Sequence, residues 1–317
     1  MTKQSRRQFL GTCSALLGMG LTSTGAGAAE SGSARRGGRN TFRYCLNTST
    51  VRGQKLGLVK EIELAAAAGY QAIEPWVRDI QGYVEQGGSL RDLAQRTKDS
   101  GLTVESAIGF AKWIVDDPAQ RAKGLEQAQR DMDLLAQLGG KRLAAPPAGA
   151  TRGALLDLME VARRYRALLE LGDQMGVVPQ LEVWGFSKNL HRLGQSVFAM
   201  IESGHPRACL LPDVYHIYKG GSDFTGLKLL SAAALQVIHM NDYPADPPRD
   251  TIGDKDRVFP GDGVAPLDAI IQDLHQINPT MVLSLELFNP TYWKQDATVV
   301  AQTGLRKMKA AVERALG

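Results

Sequence analysis

Four apolar segments in the second half of the chain each contain one ionisable residue that a buried strand would not ordinarily carry. These residues are Glu182 in "PQLEVW", Asp213 in "LLPDVY", His239 in "VIHMN" and Glu286 in "LSLELF", and we call them the four strand-end residues. A buried charge is costly unless it is paired, so each of them should have a partner. Three carboxylates at low dielectric repel one another, and one divalent cation among them is the simplest compensation.

The ligand chemistry of the four strand-end residues is hard and rich in oxygen. Such a set suits Mn²⁺ first, with Mg²⁺, Co²⁺ or Zn²⁺ as alternatives, whereas a structural zinc site would use thiolates. Asp242 follows His239 by three positions and could orient its imidazole. Each residue alone is more simply explained as a cap, an ion-pair partner or a core histidine. Their occurrence on consecutive segments favours one shared site.

Short apolar runs alternate with amphipathic helical segments from Thr41 onward. Eight runs are typical of buried strands, at residues 42–47, 71–77, 102–110, 141–147, 177–184, 208–214, 235–241 and 280–288. This alternation predicts an α/β fold, a single (β/α)8 TIM barrel spanning residues 41–317, with a doubly wound open sheet as the alternative. The carboxyl ends of barrel strands meet at one mouth, so the barrel would bring the four strand-end residues together.

The N-terminal segment has the features of an export signal. Arg6 and Arg7 precede Phe9, Leu10 and a short apolar region that ends in small residues near Ala28. This segment resembles a bacterial twin-arginine signal over residues 1–28, and a basic disordered tail is the alternative. We expect residues 29–40 to form a flexible linker and the mature protein to be periplasmic, with no stable membrane association after cleavage.

Composition excludes several classes of partner. The 317 residues are 44% hydrophobic and 22% charged, and the formal charge of +4 falls by three, to +1, when Lys3, Arg6 and Arg7 are removed with the signal. A nearly neutral mature chain gives no reason to expect a nucleic-acid partner. No phosphate-binding glycine motif follows a strand. Cys45 and Cys209 lie in apolar runs and are interpreted as small buried hydrophobes.

The order of the four strand-end residues resembles that in the xylose isomerase-like TIM-barrel superfamily of sugar isomerases and epimerases. The pattern is Glu, Asp-x-x-His, His-x-x-Asp and Glu on the last four strands. "AIEPWV", "LTVESAIGFAKWIVDDP" and the loop "DRVFPGDGVAPLDAII" add to the similarity, which extends over about residues 42–310. The resemblance implies that the four strand-end residues bind one divalent ion. It also implies that Glu182 and Glu286 act as the acid/base pair, and that His216 and Arg257 contact substrate oxygens.

Three further residues near strand ends are candidate substrate contacts: Glu74, Trp113 and Trp184. Aromatic faces stack well on the C–H faces of sugars, which favours a binding role for the two tryptophans. A strand-end aromatic is also ordinary core, so the pattern alone leaves both interpretations open.

These features together predict a metal-dependent isomerase or epimerase that acts on a sugar, a keto-sugar or an inositol-derived ketone. A carboxylate would remove a proton next to a carbonyl and leave an enediolate. One alternative is a 3-keto-glycoside lyase or hydrolase that uses the same enolate chemistry, and another is a non-catalytic periplasmic sugar-binding protein. An apurinic endonuclease is disfavoured because the chain has only five histidines. The expected partner is a small carbohydrate, and a homo-oligomer is possible.

Overall fold

Eight short parallel strands follow one another along residues 41–317, the part of the chain that the computed structural model describes; the predicted export signal and linker lie outside it. Each predicted apolar run contains one strand. The strands are β1 (Arg43–Asn47), β2 (Ala72–Glu74), β3 (Thr103–Val104), β4 (Arg142–Ala145), β5 (Val178–Glu182), β6 (Leu210–Leu211), β7 (Val237–Met240) and β8 (Val282–Leu285).

The strands close into a barrel. One ladder has the order β3-β2-β1-β8-β7 and a second has the order β4-β5-β6. Parallel bridges join the two ladders, from Ala107 to Leu143 on one side and from Asp213 to His239 on the other. Because β1 pairs with both β2 and β8, the first and last strands are neighbours. The predicted (β/α)8 barrel is therefore confirmed, and the open-sheet alternative is wrong.

The strands are shorter than the apolar runs that predicted them, since the end of each run leaves the ladder to build the mouth. The run at 208–214 contributes only Leu210–Leu211 to β6. Pro212 has no N–H to give to a ladder, and the Asp213 side chain accepts the N–H of His216 as the N-cap of the next helix.

Helices surround the barrel. They are α1 (Leu58–Ala68), α2 (Val77–Glu85), α3 (Leu90–Asp99), α4 (Pro118–Gln137), α5 (Leu158–Met175), α6 (Leu193–Glu202), α7 (Val214–Lys219), α8 (Leu267–Ile277) and α9 (Ala297–Leu316). A large apolar layer lies between strands and helices, and a smaller cluster that includes Cys45, Leu211 and Val282 fills the barrel interior. Cys45 and Cys209 are buried free thiols, as predicted. Among residues 41–317, no helix is long and apolar enough to cross a membrane.

Two helical glycines give a matched test of this packing. At Gly124 in α4 an added Cβ would lie 2.5 Å from the Lys112 carbonyl, whereas at Gly82 in α2 the nearest atom would be 4.0 Å away. Gly124→Ala should lower the free energy of unfolding by about 1–3 kcal/mol through overpacking. Gly82→Ala should raise it by about 0.5–1 kcal/mol, because alanine loses less backbone entropy. Urea denaturation of both variants measures the difference, and equal effects would contradict the packing.

Candidate active site

A cavity of about 170 Å³ opens at the carboxyl ends of the strands. Its polar floor is formed by Glu182, His216, Arg257 and Glu286, with Asp254 at the side. Its walls are aromatic and consist of Trp76, Phe110, Trp184, Phe186 and Phe288. The predicted contacts Trp184, His216 and Arg257 therefore share one cavity with the two predicted acid/base glutamates.

Three of the four strand-end residues form a compact buried triad. Ligand atoms of Asp213, His239 and Glu286 all lie within 4.8 Å of one another. His239 Nδ1 is 3.2 Å from Glu286 Oε2 and 3.6 Å from Asp213 Oδ2. Glu182 lies farther out, with its Oε1 3.9 Å from the same nitrogen. The barrel thus brings all four residues to one point, around one ring nitrogen.

The other nitrogen of His239 bonds to Glu74, which corrects the predicted role of that glutamate. His239 Nε2 is 3.1 Å from Glu74 Oε2, and the same oxygen accepts the Ser284 hydroxyl at 2.6 Å. Glu74 is fully buried and does not line the cavity, so it contacts the histidine and not a substrate. A carboxylate on Nε2 fixes the imidazole with Nδ1 aimed at the triad.

Asp242 does not orient His239, contrary to the sequence-based expectation. Its two carboxylate oxygens accept four backbone N–H groups, from Tyr243, Gly261, Gly263 and Ala265. The approach is close: a Cβ at Gly263 would lie 2.3 Å from Asp242 Oδ1. Asp242 therefore anchors the Pro-Gly-x-Gly loop that follows Arg257.

Arg257 reaches from that loop into the carboxylate cluster. Its Nη1 donates to Asp213 Oδ2 and to Glu286 Oε2, both at 2.9 Å. Nη2 donates to Asp254 Oδ1 at 2.6 Å and lies 3.0 Å from His216 Nε2. Asp254 was not predicted, because an acidic residue within a charged loop such as "GDKDR" gives no distinguishing sequence signal.

The ionisation of these groups follows from burial and pairing. Burial alone would raise the pKa of Asp213, but Arg257, His216 and His239 together outweigh burial and the pKa is lowered. Burial lowers the pKa of His216, and the neighbouring Arg257 adds to that effect. A neutral His216 can accept the Arg257 N–H at Nε2 and keep a proton on Nδ1, which has no hydrogen-bond partner among residues 41–317. His216 can therefore donate to a substrate oxygen.

Glu182 differs from the other carboxylates of the cluster. Burial raises its pKa to about 8, against the opposing charge of His239. Its Oε2 is buried without a hydrogen-bond partner in the described part of the chain, as is His239 Nδ1. Two unpartnered buried ligand atoms beside an oxygen-rich cluster fit a divalent ion, since a cation would satisfy both.

Trp113 is not part of the cavity, which corrects the prediction that it contacts substrate. It is 1% exposed, its indole N–H donates to the Pro146 carbonyl at 2.9 Å, and its ring packs against Tyr165 of α5. The wall beside Trp184 is formed by Trp76, Phe110, Phe186 and Phe288. The aromatic surface was thus anticipated in kind but assigned in part to the wrong residue.

The sequence profile of the xylose isomerase-like TIM barrel family matches residues 62–311. The chain belongs to the xylose isomerase-like TIM barrel family. The cavity, the triad and the Arg257 loop all lie within the matched region.

Curated proteins that are similar to this chain include enzymes. Inosose isomerase from Bacillus velezensis is 25% identical over 276 residues, which cover 86% of this chain and 98% of that protein. 3-Dehydroshikimate dehydratase from Pseudomonas putida is 23% identical over 253 residues, covering 79% of this chain and 39% of that longer protein. The crystal structure of IolI protein with a bound zinc atom aligns with a TM-score of 0.80 at 24% identity, over 86% of this chain and 99% of that one.

Paired substitutions separate the two roles assigned to Glu74 and Asp242. Glu74→Gln should weaken Mn²⁺ binding about 10- to 100-fold, because the carboxylate behind His239 is lost. Asp242→Ala should leave Mn²⁺ binding nearly unchanged and increase hydrogen exchange in residues 257–265, since the loop loses its anchor. Calorimetric titration and exchange mass spectrometry measure the two effects. Loss of Mn²⁺ binding by Asp242→Ala alone would show that the assignment is wrong.

Proposed function

We propose that the protein is a divalent-metal-dependent isomerase or epimerase that acts on a keto-sugar or an inositol-derived ketone. The observation that carries this proposal is the convergence of Glu182 and Glu286 on Nδ1 of His239, in a cavity with aromatic walls that both glutamates line. Two carboxylates beside one substrate are what proton removal and return require. A pure binding protein would have no use for the carboxylate cluster.

The four strand-end residues would hold the ion, and Mn²⁺ is the proposed metal. The IolI structure was determined with a bound zinc atom, which supports a divalent cation as the cofactor. When bound, the ion supplies polarisation of the substrate carbonyl and stabilisation of the negative charge that develops there.

The residues of this chain perform the proton transfer. One glutamate of the pair Glu182 and Glu286 takes the proton from the carbon next to the carbonyl, which leaves an enediolate. For the isomer, the proton returns to the former carbonyl carbon, and the hydroxyl of the deprotonated carbon gives its proton to the former carbonyl oxygen. For the epimer, the second glutamate gives a proton to the opposite face of the carbon that lost one, and the first glutamate keeps the proton it removed. His216 donates its Nδ1–H to a substrate oxygen, and Arg257, whose Nη N–H groups are engaged by Asp213, Glu286, Asp254 and His216, holds that imidazole and the carboxylates in place during the transfer.

The cavity favours one small ring as substrate. Its volume of about 170 Å³ is below the roughly 300–1,000 Å³ of sites for drug-sized ligands. Aromatic walls suit the C–H faces of a cyclic polyol. The similarity to inosose isomerase supports a cyclic ketone of this kind.

Glu286→Gln tests the mechanism directly. The amide keeps an oxygen and the side-chain shape but is no longer basic, so turnover should fall about 10²- to 10⁴-fold. Solvent deuterium should no longer enter the substrate. Both are measured by proton NMR in D₂O with a panel of inososes, ketohexoses and 3-keto-glucosides.

Glu61→Gln in α1 is the matched control, because Glu61 is also a buried glutamate but lies outside the cavity. Its turnover should equal that of the wild type. A folded Glu286→Gln protein with wild-type turnover would refute the two-carboxylate mechanism.

Elimination is the second candidate reaction. The similarity to 3-dehydroshikimate dehydratase favours it, because loss of water can follow the same proton abstraction next to a ketone. A 3-keto-glycoside could lose its glycosidic oxygen in the same way. Release of free alcohol or water with an unsaturated ketone, in place of an isomeric ketone, would identify elimination in the same NMR experiment.

We also propose that the protein is exported to the periplasm through a twin-arginine signal, as Arg6 and Arg7 indicate. Replacing both by Lys should keep the precursor in the cytoplasm, because the charge is retained but the pair is lost. Lys3→Arg is the control and should not alter export. Fractionation and immunoblotting measure the outcome, and unchanged periplasmic yield of the double variant would contradict the proposal.

A further inference from the structure

Asn47, the last residue of β1, lies between the aromatic wall and two buried carboxylates. Its Oδ1 accepts the backbone N–H of Ser49 at 2.9 Å and the indole N–H of Trp76 at 3.1 Å. Its Nδ2 donates to Glu74 Oε2 at 2.9 Å and to Glu286 Oε1 at 3.2 Å. An asparagine amide can make four such bonds, so its capacity is fully used.

The chemistry of the partners fixes the orientation of the Asn47 amide. Its oxygen faces two N–H donors and its nitrogen faces two carboxylates. A flipped amide would place the nitrogen against donors and the oxygen against acceptors, and all four bonds would be lost. The side chain is also completely buried, so no water can substitute for a missing partner.

We propose that Asn47 is a positioning residue for the carboxylate of Glu286 and couples it to the Trp76 wall; the inference rests on the proposed function. Glu286 is held from both sides, because Asn47 donates to Oε1 while Arg257 donates to Oε2 at 2.9 Å. Two donors on different oxygens set the plane of the carboxylate, and with it the direction of Oε2 toward His239 Nδ1.

Trp76 enters this arrangement through its indole N–H. Its ring lines the cavity, and its indole N–H donates to Oδ1 of Asn47. The Nδ2 of the same Asn47 amide donates to Glu286. A change at the indole nitrogen should therefore reach Glu286 even though Trp76 does not touch it. Trp113 lacks this connection, since its indole N–H donates to the Pro146 carbonyl and its ring lies outside the cavity.

The first test uses Mn²⁺ affinity, which needs no substrate. Asn47→Ala should raise the Mn²⁺ dissociation constant about 10-fold or more, the effect expected when a partner of a ligand is removed. Trp76→Phe keeps an aromatic face but removes the N–H, and should weaken Mn²⁺ binding in the wild-type background only. In the Asn47→Ala background it should add nothing. Trp113→Phe is the control: it also removes an indole N–H, but one that donates to the Pro146 carbonyl outside the cavity, and it should leave Mn²⁺ affinity unchanged.

The second test measures kcat and KM separately at saturating Mn²⁺ and asks which of the two changes. Asn47→Ala should lower kcat about 10- to 100-fold through misplacement of the carboxylate, with little change in KM. A merely structural role would lower the melting temperature and leave kcat per folded molecule intact.

The outcomes separate this inference from the proposed function. A folded Asn47→Ala protein with wild-type Mn²⁺ affinity and kcat would overturn the positioning role while the function stands. Weakened Mn²⁺ binding together with no turnover of any ketone by the wild type would support Asn47 and refute the function. Equal effects of Trp76→Phe in both backgrounds would overturn the coupling. If Asn47→Ala does not fold, the Trp76→Phe variant alone decides: an Mn²⁺ affinity equal to that of the wild type would overturn the coupling.

Discussion

Repulsion among buried carboxylates is the constraint on which the mouth of the barrel depends. Glu74, Glu182, Asp213 and Glu286 are each at most 3% exposed. Two groups separate them: Arg257 bonds to two of the carboxylates, and the imidazole of His239 lies between Glu74 on one ring nitrogen and Glu286 and Asp213 on the other. Removing one partner of such a set leaves an uncompensated buried charge, which is strongly destabilising. The geometry needed for chemistry is therefore also the geometry that charge balance requires.

The barrel and one loop divide this task. Parallel strands bring the carboxylates and the imidazole to a common end, as barrels do for many chemistries. The balancing guanidinium comes from outside the strands, on the segment that Asp242 fixes through four backbone N–H groups. Arg257 and His216 both line the cavity beside the carboxylates, so the guanidinium that balances charge also borders the space in which a substrate would bind.

Much of the fold and part of the site could be predicted from the sequence. The four strand-end residues were recognisable because each interrupts an apolar run, and the barrel rule places such positions together. Glu74 was misassigned because it reaches His239 across the barrel interior: β2 and β7 are separated by β1 and β8 in the ladder, and no spacing along the chain reveals that contact. Asp242 is near His239 in sequence, but its carboxylate accepts backbone N–H groups of the glycine-rich loop that contains Gly261 and Gly263. Trp113 points outward to Tyr165, and the direction of a strand-end aromatic is set by packing.

The central claim is that these side chains form one site for a divalent cation, arranged around Nδ1 of His239. Crystals grown with Mn²⁺ and measured near the manganese absorption edge test it most directly through the anomalous difference map. The account predicts a single strong peak within coordination distance of His239 Nδ1 and of oxygens from Asp213, Glu286 and Glu182. No peak at the triad in crystals that bind Mn²⁺ elsewhere, or a peak on the Nε2 side of His239 beside Glu74, would contradict it.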